Sequence, residues 1–280
     1  MIAPVHGLLL SGGRSSRMHR DKAGLEYHGR SQLAHAWERL AAVVERAYVS
    51  VRPDQVDDPL RRIYPQIVDQ QAGLGPLAGI LAAQATHPGA AWLVLACDLP
   101  FLDARSLAHL LAGRDRDGLA TAYRSAHDGL PEPLCAVYEP ASAPALAAWA
   151  AAGRSCPRKF LVQSGARLLE PLDPRALDNV NSADEYWTTM QTLSPEQAAA
   201  PRRIRVQYYA LLREQAGRSD ETLQTAARTP RELYDELRAR HPFTLGPEVL
   251  RVAVNGDFGD WAQPLADGDA VVFIPPVAGG

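Results

Sequence analysis

The residues best suited to chemistry lie near the start of the chain, where residues 8–24 read LLLSGGRSSRMHRDKAG. Three leucines predict a buried strand. The Ser-Gly-Gly that follows predicts a turn where a ligand can approach the backbone N–H groups. Four cations come next, Arg14, Arg17, Arg20 and Lys22, and they could bind the oxygens of a polyphosphate. The spacing matches neither a Walker A loop nor a G-x-G-x-x-G turn. An arginine-rich loop exposed to solvent is the alternative interpretation.

The overall composition is that of a globular protein, with 46% hydrophobic and 22% charged residues in 280. This length suits one large domain or two ordinary ones. The net charge of −3 excludes a generally basic protein that coats nucleic acid. Three cysteines without a C-x-x-C spacing argue against a disulfide framework or a zinc site, and favour a reducing cytoplasm.

Membrane and export signals are not expected. The N-terminus MIAPVHGLLL lacks the basic region of a signal peptide. The most apolar stretch, GPLAGILAAQATHPGAAWLVLAC, is interrupted by Gln84 and by His87-Pro88, so it is not a continuous bilayer-spanning segment. We therefore expect a cytoplasmic protein with no membrane and no nucleic-acid partner.

The first 190 residues alternate strand-like and helix-like segments. Short apolar runs predict buried strands at VHGLLL, AYVSV, QIV, AWLVLA and LCAVY. Helical spacing is found in SQLAHAWERLAAVVER, GPLAGILAAQAT and DARSLAHLLAG, with Ser31 and Asp103 as predicted N-caps. This alternation predicts an α/β domain whose mostly parallel sheet is covered by helices on both faces. Ligands bind beyond the C-terminal ends of such strands, which is where the opening loop lies.

A second, smaller domain is predicted at residues 204–280. Residues 191–203, QTLSPEQAAAPRR, have no apolar periodicity and hold two prolines, which predicts a linker after domain 1–190. Beyond it, RIRVQYYALL, RVAVNGDF and DAVVFIPP read as strands, and PRELYDELRARH reads as a helix with proline in its first turn. This pattern predicts an α+β domain with its helix on one face of a mixed sheet.

The opening loop supports a family resemblance. SGGRSSRMHRDK resembles the L-[AS]-G-G-x-S-x-R-M-G-x-D-K signature of molybdenum cofactor guanylyltransferases. Further motifs follow in the family's order: GPLAGI, LACDLPFL, EPLCAVY, GRSCPRKFL and NVNSADE. The resemblance covers nearly all of the first 190 residues and implies a three-layer, Rossmann-like nucleotidyltransferase domain. The implied activity is Mg²⁺-dependent transfer of GMP from GTP to molybdopterin, with release of pyrophosphate.

The resemblance also implies roles for individual residues. It places Mg²⁺ on Asp98 of the CDLP motif and assigns catalysis to Lys22, Arg17 and Asp98. It brings Asp69 near the nucleotide, where a carboxylate could accept hydrogen bonds from guanine or from the ribose hydroxyls. A turn or capping role is the alternative for Asp98. The implied nucleotide-binding set is Leu10, Ser11, Gly12, Gly13, Lys22, Asp69, Pro76, Leu77 and Asp98.

The acceptor side of the predicted site depends on two segments. Asn181 could complete the metal shell or hold the pterin, or it could cap the helix SADEYWTTM. The basic segment GRSCPRKFL could bind the pterin phosphate or form a solvent-exposed helix face. The implied pterin-binding residues are Asn179, Asn181, Arg154, Arg158 and Lys159.

Two departures from the family pattern bear on specificity. His19 stands where the family has glycine after Arg-Met, and its role is open. An asparagine often found at the end of the second strand is missing from AYVSVRPDQ, where Arg52 lies in its region. Because that region could select the base, a cytidylyltransferase that uses CTP on the same acceptor is the nearest alternative.

The C-terminal segment has a resemblance of its own. YYALLREQAG, VNGDF and DGDAVVFIPPVAGG resemble the small sulfur-carrier subunit of molybdopterin synthase, a ubiquitin-like β-grasp protein, over residues 204–280. The resemblance implies that the carboxylate of Gly280, after Gly279, is adenylated by an activating enzyme and converted to a thiocarboxylate. The other implied partner is the large subunit of molybdopterin synthase.

Both resemblances belong to molybdenum cofactor assembly, so the sequence predicts a bifunctional fusion. A sulfur carrier attached to a degenerate nucleotidyltransferase scaffold is the alternative from another functional class, and intact Lys22 and Asp98 argue against it. A working enzyme with a vestigial carrier is the reverse alternative.

Overall fold

The structure, a computed structural model, describes residues 3–11 and 21–276. It divides into two compact units, one formed by the described part of 1–13 with 22–179 and the other containing residues 180–276. Several predicted site residues, in the loop 12–20 and in the tail 277–280, lie outside the described residues.

The first unit is built on a seven-stranded sheet with the order β3-β2-β1-β4-β6-β5-β7. The neighbouring pairs from β3 to β4 and the pair β5–β7 are parallel, whereas β6 is antiparallel to both β4 and β5. The predicted, mostly parallel sheet is therefore confirmed. The strands are β1 (Val5–Leu10), β2 (Arg46–Val51), β3 (Gln66–Val68), β4 (Ala91–Ala96), β5 (Ala120–Arg124), β6 (Pro131–Tyr138) and β7 (Arg167–Leu169).

Among the described residues of this unit, five α-helices accompany the sheet: α1 (Gln32–Ala41), α2 (Pro76–Thr86), α3 (Ala104–Ala112), α4 (Ser142–Ala151) and α5 (Pro157–Gln163). The predicted N-caps are confirmed, because the side chain of Ser31 accepts from the N–H of Ala34 and that of Asp103 from the N–H of Ser106. Each such cap satisfies a donor that the helix itself leaves unpaired. Across the described ranges, no helix combines the length and the apolar character needed to cross a bilayer.

The core of this unit has two parts, one on each face of the sheet. Leu93 and Leu95 of β4 pack in a cluster with residues of α1 and α3. Trp92 and Val94, the alternate residues of the same strand, pack in a second cluster with residues of α2, α4 and α5. Burying each such side chain contributes about 1.5–3 kcal/mol. The two clusters confirm helices on both faces.

The second unit contains a five-stranded mixed sheet with the order β11-β10-β12-β8-β9. Strands β12 and β8 are parallel, and the other neighbours are antiparallel. Apolar residues of α9 pack on this sheet, which is the predicted β-grasp arrangement. The elements are α6 (Ala183–Leu193), α7 (Pro195–Ala199), β8 (Arg202–Tyr208), α8 (Ala210–Ala216), β9 (Asp220–Thr225), α9 (Pro230–Arg240), β10 (Arg251–Val254), β11 (Asp257–Phe258) and β12 (Ala270–Ile274).

Two segments of the second unit differ from the sequence interpretation. The strand predicted over RIRVQYYALL ends at Tyr208, because helix α8 begins at Ala210. The C-cap of α8 is Gly217, which adopts the left-handed conformation. The segment 191–203 contains the end of α6 and all of α7. Helix α6 groups with the second unit, since the Trp187 indole donates to the Arg228 carbonyl. The domain boundaries 1–190, 191–203 and 204–280 stay a prediction.

Candidate functional site

Two predicted catalytic residues, 76 positions apart in sequence, meet in the structure. The Nζ of Lys22 donates to Oδ2 of Asp98 at 2.8 Å. The two side chains keep 17% and 23% of their surface exposed, so solvent reaches the pair. A cation and a carboxylate held this way at the ends of strands can each bind a charged ligand.

The ends of β1 and β4 fix the position of this pair. The N–H of Cys97 donates to the carbonyl oxygen of Leu10 at 3.1 Å, which extends the parallel pairing one residue past β4. Asp98 follows directly. On the other side, Lys22 opens a 3₁₀ turn whose next residue, Ala23, is fully buried in the core. The backbones on both sides of the pair are therefore anchored by packing and by strand pairing.

The loop after Asp98 has a second anchor. The Nε2 of His28 lies 3.2 Å from the carbonyl oxygen of Pro100, and since a carbonyl only accepts, this nitrogen is the donor. His28 stacks on His35 with 3.7 Å between ring centroids. Burial lowers the pKa of His35 to about 3, with further lowering by the positive charge on His28 and Arg39, so the ring is neutral at pH 7.

Asp69, predicted near the nucleotide, follows β3. Its Oδ1 accepts a hydrogen bond from the Ser50 hydroxyl at 2.7 Å, and its backbone N–H donates to the carbonyl oxygen of Val51 at 2.9 Å. Burial raises the pKa of Asp69, while the Ser50 hydrogen bond and the charge of Arg52 oppose that rise. Ser50 lies at the end of β2, in the region of the missing family asparagine, whereas the Arg52 guanidinium binds Asp54.

The remaining predicted nucleotide residues are distributed around the same strand ends. Leu10 ends β1 and Ser11 follows it, both buried. Pro76 is exposed at the start of α2, but the Leu77 side chain is fully buried in the core. The predicted residues Gly12, Gly13 and Arg17, and His19 with them, lie outside the described residues.

The predicted pterin residues have diverse surroundings. Arg158 binds two carboxylates, Asp128 and Glu132, at 2.9 Å each, so its charge is largely compensated. The Arg154 guanidinium lies over the ring of Trp149, 4.7 Å from its centroid. Lys159, Asn179 and Asn181 are exposed or half-buried, and their pterin roles stay a prediction.

Asp98 is suited to hold the predicted Mg²⁺. Magnesium is typically bound through one or two carboxylates together with substrate phosphate oxygens and water, so a single carboxylate at an open strand end fits this ion. Within residues 3–11 and 21–276, no three His, Cys, Asp or Glu side chains gather as a metal site. Asn181, the second predicted ligand, belongs to the other compact unit, and its metal role stays a prediction.

Sequence comparison identifies the domain that carries these residues. Residues 7–168 match the family described as the MobA-like NTP transferase domain. The chain belongs to this family. Residues 206–280 match the ThiS family. Both resemblances predicted from the sequence are thus confirmed, and the MobA-like domain coincides with the seven-stranded sheet.

Individual relatives agree with this assignment. A molybdenum cofactor guanylyltransferase of Pseudomonas fluorescens is 35% identical over 184 residues, which cover 64% of this chain and 90% of that protein. A molybdenum cofactor biosynthesis bifunctional protein of Synechocystis is 34% identical over 183 residues, which cover 65% of this chain and 53% of that protein. The chain thus spans about half the length of the Synechocystis relative.

A solved structure supports the fold of the MobA-like domain. The crystal structure of molybdopterin-guanine dinucleotide biosynthesis protein A from Archaeoglobus fulgidus superposes with a TM-score of 0.56. It covers 68% of this chain and 99% of that one at 22% sequence identity. At this identity the likeness concerns the fold alone.

Sequence reasoning missed three residues around the site of the MobA-like domain: Ser50, Arg61 and His28. Ser50 could have been found, because it stands at the end of a predicted strand. Arg61 gave no signal, since an arginine in a polar stretch is most often exposed. His28 donates to a loop that lies 72 residues further along the chain, a pairing that no local pattern reveals.

Proposed function

We propose that the MobA-like domain transfers GMP from GTP to molybdopterin and releases pyrophosphate. The observation that carries the proposal is the contact between Lys22 and Asp98 at the ends of strands in a domain of this family. The Pseudomonas relative, named a molybdenum cofactor guanylyltransferase, supports the choice of acceptor and nucleotide.

The proposed reaction needs positioning and charge compensation more than covalent help. An oxygen of the terminal phosphate of molybdopterin attacks the α-phosphorus of GTP. The bond from that phosphorus to the bridging oxygen of the β-phosphate breaks, and pyrophosphate leaves with the electron pair. Lys22 stabilises the negative charge on the phosphates as it exchanges Asp98 for them. Mg²⁺ on Asp98 would neutralise phosphate oxygens further.

Base selection is proposed to involve Asp69. A carboxylate is a suitable acceptor for the N1–H and N2–H₂ donors of guanine, which cytosine does not present in this form. The hydroxyl of Ser50 donates to only one of its oxygens, Oδ1. CTP remains the alternative nucleotide, because Ser50 and Arg52 occupy the region of the missing family asparagine.

The test is Mg²⁺-dependent nucleotide transfer to molybdopterin from GTP, CTP and ATP, with pyrophosphate release as the readout. We expect strong preference for GTP and loss of transfer in Asp98→Asn. Asp117→Asn is the matched control, because Asp117 is exposed in the loop before β5, near the opposite edge of the sheet. Preference for CTP would change the product, and full activity in Asp98→Asn would refute the assigned metal ligand.

A second function is proposed for the ThiS-like unit, whose match extends to residue 280. We propose that Gly279 and Gly280 carry sulfur as a thiocarboxylate to molybdopterin synthase, after adenylation by an activating enzyme. Mass spectrometry should detect a gain of about 16 Da, oxygen replaced by sulfur, after incubation with an activating enzyme, ATP and a sulfur donor. A variant lacking both glycines should show no such gain and should keep GMP transfer. Sulfur transfer to the pterin by that variant would refute the proposal.

A further inference from the structure

A buried arginine, Arg61, contacts Ser11 directly after β1. Arg61, between β2 and β3, has a side chain that is only 1% exposed. Its Nε donates to the Ser11 hydroxyl at 3.1 Å and one terminal nitrogen donates to the Ser11 carbonyl at 2.9 Å. The other terminal nitrogen lies 3.1 Å from Oδ1 of Asp58. All three guanidinium nitrogens are therefore engaged.

The ion pair with Asp58 does not by itself account for this burial. The Asp58 side chain is 33% exposed, and its Oδ1 also accepts the backbone N–H groups of Leu60 and Arg61. Burying a guanidinium is unfavourable unless its N–H donors are paired with well-placed acceptors. Here two of its three nitrogens bind one residue, Ser11, which is held by both its hydroxyl and its carbonyl.

Ser11 is the last described residue before the Gly12-Gly13 pair. Its hydroxyl also donates to the carbonyl oxygen of Ser50 at 3.0 Å. The contact with Arg61 holds the Ser11 carbonyl group, and the two hydroxyl contacts fix the side-chain rotamer. Arg61 and Ser50 therefore hold the backbone and the side chain of Ser11 directly after β1.

The hydrogen bonds of Ser11 continue through Ser50 to Asp69, the residue proposed to select the base. The Ser50 hydroxyl donates to Asp69, so hydrogen bonds connect Arg61, Ser11, Ser50 and Asp69 across the ends of three strands. Close packing holds this arrangement, because a Cβ on Gly79 would lie only 2.4 Å from the Ser50 hydroxyl oxygen.

We propose that Arg61 is a positioning residue for nucleotide binding: it clamps Ser11 at the end of β1 and, through Ser50, sets Asp69 for the nucleotide before it arrives. The inference rests on the proposed nucleotidyl transfer. A preformed site avoids the ordering of groups on binding, and a misplacement of about 1 Å can cost about 10²-fold in rate. The forked guanidinium is suited to this, since its three nitrogens reach the hydroxyl, the carbonyl and Asp58 at fixed spacing, a spread that the single ammonium group of lysine lacks.

The test compares Arg61→Met, Arg61→Lys, Arg61→Ala and Ser11→Ala in the full chain by steady-state kinetics with GTP and molybdopterin varied separately. We expect Arg61→Met to raise the KM for GTP about tenfold while the KM for molybdopterin stays within about twofold. Arg61→Lys should show most of the same defect. Millimolar methylguanidinium should restore GTP binding to Arg61→Ala, whereas methylammonium should not.

Arg114→Met is the matched control, because Arg114 is also buried and also binds through two nitrogens, but to Glu139 at the opposite edge of the sheet. It should lower the thermal midpoint and leave the KM for GTP unchanged. If Arg61→Met does not fold, Ser11→Ala still tests the clamp and should raise the KM for GTP about threefold.

An unchanged KM for GTP in folded Arg61→Met, or equal increases in both KM values, would overturn the inference and make Arg61 a plain core residue. Absence of nucleotide binding in the unaltered chain would instead overturn the proposed function itself. The two failures are therefore distinguishable.

Discussion

The MobA-like domain has two ion pairs at opposite ends of the strands of its sheet, and they differ in exposure. Lys22 and Asp98 meet beyond the C-terminal ends of β1 and β4, with about a fifth of each side chain exposed. Arg114 and Glu139 meet near the N-terminal end of β4, where Tyr138 pairs with Trp92, and their side chains are 5% and 2% exposed.

The difference shows how one kind of interaction serves two purposes. The Arg114 guanidinium uses two nitrogens on both oxygens of Glu139, which leaves little capacity for a ligand. Lys22 is a compact charge that can exchange a carboxylate for a phosphate. Only two of the 29 basic residues, Lys22 and Lys159, are lysines, and one of them stands at the candidate site.

The contrast predicts its largest effect at the buried pair. Glu139→Gln should lower the free energy of unfolding by about 3–5 kcal/mol, because it leaves the Arg114 charge buried without a carboxylate. Urea unfolding measures this loss. The kcat/KM for GMP transfer, taken well below the unfolding midpoint, should match the unaltered chain. A loss of activity without a loss of stability would contradict the division of roles.

The partly exposed pair of Lys22 and Asp98 should affect activity much more than stability. Lys22→Met should reduce kcat/KM for GMP transfer by about 10²–10³-fold, as removal of one preorganised charge-stabilising group does. The unfolding free energy should change by only about 1 kcal/mol, since the pair is partly exposed and the Asp98 carboxylate left behind stays in contact with water. Denaturant unfolding alongside kinetics checks both values. A large destabilisation with normal activity in the surviving protein would make this pair structural as well.

Gly79 in α2, which packs against Ser50 and Leu10, should give a smaller effect on stability. Gly79→Ala places a Cβ 2.4 Å from the Ser50 oxygen and 2.9 Å from Leu10. Although alanine favours a helix, this overpacking should destabilise by about 1–3 kcal/mol. Displacing Ser50 should also raise the KM for GTP. Gly89→Ala is the control, because no atom lies within 4 Å of the position that its Cβ would take, and it should leave both quantities unchanged.

His35, which stacks on His28, should give the most gradual effect, a change of the unfolding free energy with pH. The folded pKa of His35, about 3, lies below the value of 6.5 for an unperturbed histidine. The neutral ring therefore stabilises the fold fully above pH 6.5, and this contribution falls by about 1.4 kcal/mol per pH unit below it. The carboxylates with lowered pKa, Asp103, Asp128 and Glu221, act only below about pH 4.5. Burial also lowers the pKa of His6 and His28, so these two rings add to the dependence on pH in the same range as His35.

Urea unfolding at pH 7.5, 6.5 and 5.5 tests this behaviour. His35→Leu should show a weaker dependence on pH between 6.5 and 5.5 than the unaltered chain. Identical dependence in both proteins would mean that His35 is not the group responsible.

Much of the fold follows from local patterns in the sequence. Continuous apolar runs predicted β1, β3 and β4 at their observed bounds, and Ser31 and Asp103 marked helix starts, because capping and strand burial depend on near neighbours. Helix α7 was missed, since five residues are too few to show helical periodicity, and only Ala198 among them is buried.

The site could be predicted only in part. The cation Lys22 follows from the chemistry of phosphates, whereas Asp98 was predicted from the family resemblance, and the structure brings the two together. Arg61 and Ser50 could not be predicted, because their importance arises from hydrogen bonds across 50 and 39 positions of the chain, which only the folded backbone defines.

The pairing of β12 in the ThiS-like unit has a mechanical consequence. This last strand runs between β8 and β10, parallel to one and antiparallel to the other, and pairs with both along most of its length. A pull on the chain beyond Ile274 therefore acts along the strand and loads the hydrogen bonds of both ladders together, in shear, rather than peeling them one at a time. The ladders on both sides of β12 therefore resist such a pull as one unit, which protects the sheet against unfolding from its last strand.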